Sequence, residues 1–132
     1  MTEPLVQSIG QIHVTVDDLP RAVAFYRDVL GLPLLFEVPA QSMAFFDCGG
    51  VRLYLGKAES PDFDSRPLLC LRVADIETAH GKLVERSVET LSPPHAVHRT
   101  ETTELWLSFF KDSEGTALAL MEERGLGEPA TL

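Results

Sequence analysis

The stretch HVTVDDLPRAVAFYRDVLGLPLLF, residues 13–36, contains a strand, a helix and the start of a second strand, and it decides the fold. Apolar and polar side chains alternate with a period of two over Ile9–Val16, which predicts a first strand there. Asp18 can cap a helix, and Pro20 fits the first turn because no amide donor is needed there. Gly31 is suited to end that helix in a left-handed conformation.

Three more strands are predicted directly after this helix. They cover Leu34–Val38, Ser42–Asp47 and Val51–Lys57. The Gly49-Gly50 pair between the last two is typical of a tight hairpin turn. The first half of the chain is therefore predicted to be a βαβββ module.

The order of elements repeats after residues 57–67, a polar segment poor in helix and strand formers. VDDLPRA at 16–22 is echoed by VADIETA at 73–79, an offset of 57, and FFDCGG at 45–50 is echoed by FFKDSEG at 109–115. The second set of predicted elements comprises strand Leu68–Val73, a helix capped by Asp75, and strands Val88–Leu91, Leu105–Lys111 and Thr116–Glu122. Internal duplication explains this repetition.

The predicted fold class is α+β, with two βαβββ modules in one domain that covers residues 1–132. Module one spans about residues 8–57, a linker spans about 58–66, and module two spans about 67–123.

Two segments resemble the vicinal-oxygen-chelate superfamily, which includes glyoxalases, bleomycin resistance proteins and extradiol dioxygenases. The first is the opening stretch at 13–36, and the second is SFFKDSEGTALALMEE at 108–123, where Ser113 stands at a position usually occupied by Pro. The resemblance implies that the four strands of each module curve into half a barrel around a central cavity. It also implies a homodimer and, in many members, a divalent metal in the cavity.

The resemblance places metal ligands on the first and last strands of each module, at Gln11, Tyr54, Leu68 and Ala119. Leu68 and Ala119 have no donor atom, whereas even open catalytic sites keep about three protein ligands. We therefore expect no cofactor, although a shifted divalent metal site stays possible through Gln11 and His13, together with Cys70. The alternative is that His13 is a hydrogen-bonded cavity histidine and Cys70 a small core residue.

Other residues could bind or transform a ligand. Arg52 and Tyr54 alternate onto one face of a strand, where Arg52 would suit an anionic ligand and Tyr54 would donate a second hydrogen bond, unless the strand is flipped. Trp106 could supply an aromatic wall or belong to the core, whereas we expect Phe46 and Phe110 to be core.

Two histidines, His95 and His98, lie in the polar segment SPPHAVHRTETTE, which we interpret as a loop. Either could act as an acid or base, or both could be solvent-exposed loop residues. The candidate catalytic residues are thus His13, Tyr54 and His95, and His80 is assigned to a helix surface or an interface.

Composition narrows the partners. The 132 residues include 20 acidic and 11 basic side chains, a formal net charge of −9, which disfavours nucleic acid and anionic membranes as partners. Cys48 and Cys70 are too few for a disulfide framework, and no run is long and apolar enough to span a bilayer, so we expect a cytoplasmic protein with free thiols.

Three functions follow from these observations. The first is a small-molecule binding protein, resembling glyoxalase/bleomycin resistance proteins, that takes an anionic or aromatic ligand in the cavity between the modules without the usual metal. The second is a lyase, isomerase or dioxygenase that uses a shifted metal or acid–base chemistry by histidine and tyrosine. The third is a structural or regulatory dimer with a collapsed cavity.

Overall fold

A computed structural model describes residues 3–127 and contains two four-stranded mixed sheets, each accompanied by helical segments. The chain divides into two compact units, Met1–Arg66 and Pro67–Leu132. The α+β class and the two βαβββ modules predicted from the sequence are confirmed.

The first unit contains strand β1 (Gln11–Thr15), helix α1 (Leu19–Ala24), and strands β2 (Leu34–Val38), β3 (Met43–Cys48) and β4 (Val51–Gly56). The sheet order is β1-β4-β3-β2, with β1 parallel to β4 and the other neighbours antiparallel. Asp18 caps α1 by accepting a hydrogen bond from the Arg21 amide at 3.2 Å, as its position predicts.

The predicted single helix is in fact two segments, because α1 is followed by one π-helical turn over Phe25–Val29. The Leu30 amide donates to the carbonyl of Phe25, five residues earlier, at 3.1 Å. Gly31 then has φ of +77°, the left-handed conformation expected at the helix end.

The second unit contains strand β5 (Cys70–Arg72), helix α2 (Ile76–Glu85), and strands β6 (His95–Arg99), β7 (Thr103–Lys111) and β8 (Ala117–Gly125). Its order, β5-β8-β7-β6, repeats the topology of the first sheet. Asp75 caps α2 by accepting from the Thr78 amide at 3.2 Å.

One predicted strand was wrong. Residues 88–91 form only a single β-bridge, Thr90 to Phe110, and the sixth strand is His95–Arg99, in the segment interpreted as a loop. His95 and His98 therefore lie on a strand. All five residues of β6 are exposed at the sheet edge, so the strand has no apolar alternation to reveal it, and Pro93-Pro94 separates it from residues 88–91.

Helix α1 packs on one side of the first sheet and α2 on one side of the second. Phe46 and Phe110 are both fully buried, which confirms their assignment to the core. Among the described residues, no helix has the length and apolar character needed to cross a membrane.

Candidate ligand-binding face

The first sheet has two faces of opposite character. The face toward α1 is apolar and buried, and there Phe46 packs against Tyr26 with ring centroids 6.2 Å apart. The opposite surface, called here the open face, carries Gln11 and His13 of β1 beside Arg52 and Tyr54 of β4, because the register pairs Gln11 with Arg52 and His13 with Tyr54.

Four stacked rings cross the open face, one from each strand. We call His13, Tyr54, Phe45 and Phe36 the aromatic row. Successive centroids are 4.5, 5.1 and 4.5 Å apart, with interplanar angles of 26°, 17° and 25°. These spacings match the ~4.8 Å between strands, so the rings stand nearly parallel. Phe36 is exposed and His13 and Tyr54 are partly exposed, whereas Phe45 is only 8% exposed.

Gly56 gives Tyr54 the space it occupies. A Cβ atom at Gly56 would lie 2.5 Å from Cε1 and 2.8 Å from the hydroxyl of Tyr54, so the phenol lies directly over this glycine. The Gly56 carbonyl is also 3.4 Å from Nε2 of His13. The backbone at the end of β4 therefore positions two rings of the aromatic row.

Arg52 is held above the sheet by a hydrogen bond and a ring. Its Nε donates to Oε1 of Gln11 at 2.9 Å, and its guanidinium carbon is 5.3 Å from the Phe45 ring centroid, within cation–π range. The Gln11 oxygen thus faces a positive charge, which leaves the amide N–H group as the part of this side chain able to donate to a ligand.

A pocket of about 240 Å³ opens at the β1 side of the aromatic row. It is lined by Gln11, His13, Met43, Tyr54, Lys57, Glu59 and Phe63. The lining combines ring and thioether surface with one cation, one carboxylate and the Tyr54 hydroxyl, which is the usual composition of a small-molecule site.

Burial raises the pKa of Tyr54 above its ordinary value of 10, and the carboxylate of Glu59 raises it further. An acid with a raised pKa binds its proton more tightly in the folded state. The raised pKa of Tyr54 therefore stabilises the folded state below pH ~10, and this stabilisation is lost as the pH rises through the raised pKa. Near neutral pH, Tyr54 is therefore a neutral hydrogen-bond donor rather than a phenolate base.

We expect the phenolate absorbance of Tyr54 to appear with a midpoint above pH ~10. Subtracting the titration of Tyr54→Phe from that of the wild type isolates Tyr54 from Tyr26. Glu59→Gln should lower the midpoint, whereas Asp62→Asn, an exposed carboxylate outside the pocket lining, serves as the control. A midpoint at or below pH ~10, with circular dichroism unchanged, would contradict the assigned environment.

The candidate residues of the second unit divide between its two sheet faces. Cys70 pairs with Ala119, which in turn pairs with Phe109, so these three share one face. His95 lies 6.3 Å from the Phe109 ring and belongs to the same face, where its Nδ1 is 2.9 Å from the carbonyl of Pro93.

Trp106 lies on the other face, toward α2, because it alternates with Ser108, whose hydroxyl is 3.2 Å from Nδ1 of His80 on that helix. The indole donates to Glu104 at 2.6 Å and is covered by the Arg124 guanidinium, 4.1 Å from the ring centroid. The structure thus separates Trp106 from Cys70.

Three carboxylates converge at the start of α2, with ligand atoms within 4.8 Å of one another: Asp75, Glu77 and Glu122. Arg124 already forms ion pairs with two members of this cluster, Glu77 and Glu122. Glu122 also accepts the Ile76 amide at 2.8 Å, so the group secures the first turn of α2.

The four positions at which the resemblance implies a metal do not fit a divalent cation. Leu68 and Ala119 have only carbon side chains, and the Gln11 oxygen accepts from Arg52. Such an ion requires several oxygen or nitrogen donors, and this set supplies too few. The shifted metal site considered from the sequence combines Gln11 and His13 with Cys70. Cys70 is exposed in the second unit, whereas Gln11 and His13 lie in the first.

Sequence reasoning missed several residues of this site: Phe36, Met43, Phe45, Gly56, Lys57, Glu59 and Phe63. Strand alternation could have found Phe45, since it lies opposite Phe46 in the period-two pattern of β3. Phe63 carried no such signal, because it lies in the polar linker.

Comparison with known proteins gives a consistent result. The family described as Glyoxalase/Bleomycin resistance protein/Dioxygenase superfamily matches residues 8–120. Protein YraH of Bacillus subtilis is 29% identical over 98 residues, which cover 64% of this chain and 77% of YraH. The metallothiol transferase FosB of Staphylococcus haemolyticus is 30% identical over 56 residues, which cover 42% of this chain and only 39% of FosB.

Solved structures show the same fold. TnmS3, described as an antibiotic binding protein from Streptomyces sp. CB03234, superimposes with a TM-score of 0.72 at 22% identity, covering 92% of this chain and all of TnmS3 (100%). At this identity the likeness concerns the fold alone.

Proposed function

Because the chain belongs to the Glyoxalase/Bleomycin resistance protein/Dioxygenase superfamily, we propose that it binds a small aromatic or anionic molecule on the open face of its first sheet, without the divalent metal that the resemblance implies for many members. The observation that carries this proposal is the aromatic row beside Arg52 and Lys57.

Ring edges carry the positive end of the aromatic quadrupole. The upright rings therefore suit a ligand π-face or an anionic group, and the cations of Arg52 and Lys57 suit a carboxylate or phenolate. The neutral Tyr54 hydroxyl adds a hydrogen-bond donor. The binding of an antibiotic by TnmS3 supports a binding role on this fold, and we propose the same class of role here.

A second candidate is a lyase, isomerase or dioxygenase activity by acid–base chemistry. It is favoured by the stacking of His13 on Tyr54 at 4.5 Å, which places a proton acceptor beside a proton donor. Tyr54→Phe distinguishes the two, because it should weaken ligand binding by no more than about tenfold in a binding protein and abolish turnover in an enzyme.

Metal removal tests the main proposal directly. Benzoate, an anionic aromatic probe, should shift the backbone amide resonances of Gln11, His13 and Tyr54 saturably in protein treated with EDTA. Adding zinc or magnesium ions should change the dissociation constant by less than about twofold, since no metal contact contributes to binding. Elemental analysis before EDTA treatment measures which metal ions the purified protein retains.

Three results would contradict the proposal: stoichiometric metal in the purified protein, binding that appears only after metal addition, or no saturable binding of benzoate. The expected homodimer and the cytoplasmic location stay predictions. A light-scattering mass of about twice 14.6 kDa would support the dimer.

A further inference from the structure

We infer that Phe63 selects aromatic ligands in the pocket at the β1 side of the aromatic row, and that the selected ligand carries a single ring. This inference deepens the proposed function and rests on it. Phe63 is a specificity residue in the sense that its ring would contact the ligand directly.

Phe63 exposes its ring where the chain is otherwise polar. It is 62% exposed and lies in the short 3-10 turn Pro61–Phe63, between the exposed carboxylates of Asp62 and Asp64. A single exposed apolar side chain is ordinary on a protein surface. Phe63 differs from such a residue because its ring lines the same pocket as His13 and Tyr54.

The linker holds this turn beside the first strand. The Thr15 amide donates to the Ser65 carbonyl at 2.6 Å, and the Ser65 amide donates to the Thr15 hydroxyl at 2.7 Å. Thr15 is only 2% exposed, so these two bonds are shielded from water. Thr15 is two residues from His13 on the same strand face, so Phe63 is fixed beside the His13 end of the aromatic row.

An ion-pair group fixes the end of the linker as well. The Arg66 guanidinium is 3.3 Å from the carboxylate of Asp64 and 3.5 Å from that of Asp17. These exposed pairs contribute little stability alone. Together with the Thr15 bonds, they restrict the positions that the turn can take relative to β1.

The size and walls of the pocket define the ligand. A volume of about 240 Å³ is below the ~300–1,000 Å³ of ordinary drug-sized sites, and a ligand of one ring with one polar group fits within it. Rings from His13, Tyr54 and Phe63 and the thioether of Met43 supply π and polarizable contacts, and Lys57 supplies the cation for a carboxylate.

The experiment compares benzoate with cyclohexanecarboxylate, which has the same charge and a similar size but no π system. Wild-type protein should bind benzoate about tenfold more tightly, as two or three ring contacts would give. Phe63→Ala should reduce this preference to about two- to threefold, and Phe63→Tyr should restore it, because the ring returns. Both constants are measured by amide-resolved NMR titration.

Leu35→Ala is the matched control. Leu35 is 51% exposed, lies at the bulge of β2 and does not line the pocket, so its truncation should leave the preference unchanged. Thermal unfolding of Phe63→Ala should match that of the wild type, since an exposed ring contributes little to folding.

The outcomes separate the two proposals. Failure of the wild-type protein to bind benzoate overturns the proposed function. Equal wild-type affinity for the two acids overturns the role of Phe63 and leaves the proposed function standing. The role of Phe63 is also overturned if Phe63→Ala keeps the full preference, or weakens both acids equally.

Discussion

Tyr54→Ala should weaken benzoate binding by at least about 30-fold, which is roughly 2 kcal/mol and of the size seen for buried aromatic anchors in binding sites. Tyr54 is central to the open face, since it stacks on both His13 and Phe45 and lines the pocket. Its truncation removes one wall of the pocket, a hydrogen-bond donor and the stacking contacts that orient the His13 and Phe45 rings. The amide-resolved titration measures the loss.

Two further variants separate the contribution of the Tyr54 hydroxyl to ligand binding from that of the position of its ring. Tyr54→Phe keeps the ring and should lose only about three- to tenfold, the value of one hydrogen bond. Gly56→Ala keeps the whole Tyr54 side chain, yet its new Cβ would lie 2.5 Å from Cε1 and must displace the ring. We therefore expect Gly56→Ala to resemble Tyr54→Ala. Unchanged affinity in both Tyr54→Ala and Gly56→Ala would show that ligands bind elsewhere.

Glu122→Ala should destabilise the protein by about 2 kcal/mol, or roughly 6–10 °C in Tm. The Glu122 carboxylate accepts the Ile76 amide at 2.8 Å, and Ile76 is fully buried at the first turn of α2. Without this acceptor, the amide loses its partner in a place where water cannot readily replace it. Arg124 loses a partner as well.

The neighbouring Glu123→Ala is the matched control for thermal unfolding. Glu123 pairs with Arg72 at 3.4 Å, but both side chains are exposed, so we expect a Tm change within about 2 °C. If Glu122→Ala unfolds at the wild-type temperature, the carboxylate contributes nothing to the first turn of α2, and the interpretation of this cluster is wrong.

Local signals in the sequence were sufficient for most of the fold. Period-two alternation and the Gly49-Gly50 turn located β1 to β4 within a few residues, and Asp18 and Asp75 marked both helix starts. These signals succeed because capping, turn chemistry and amphipathic burial act over a few residues. The repeated order of elements then gave the two modules.

The errors arose where no local signal existed. Strand β6 is a fully exposed edge, so its residues need no apolar alternation and its pairing with β7 decides its conformation. The π-helical turn at Phe25–Val29 adds one residue to a helix whose apolar spacing otherwise reads as continuous.

The sequence by itself determined the family, the α+β class, the modular order and the lack of donors at Leu68 and Ala119, because each depends on residue identity or short-range pattern. Only the tertiary structure decided the candidate site. Strand register brought His13, Tyr54, Phe45 and Phe36 into one row, although they are up to 41 residues apart in the chain. Register is set by the pairing of whole strands, and a slip of one residue would turn each ring to the other face.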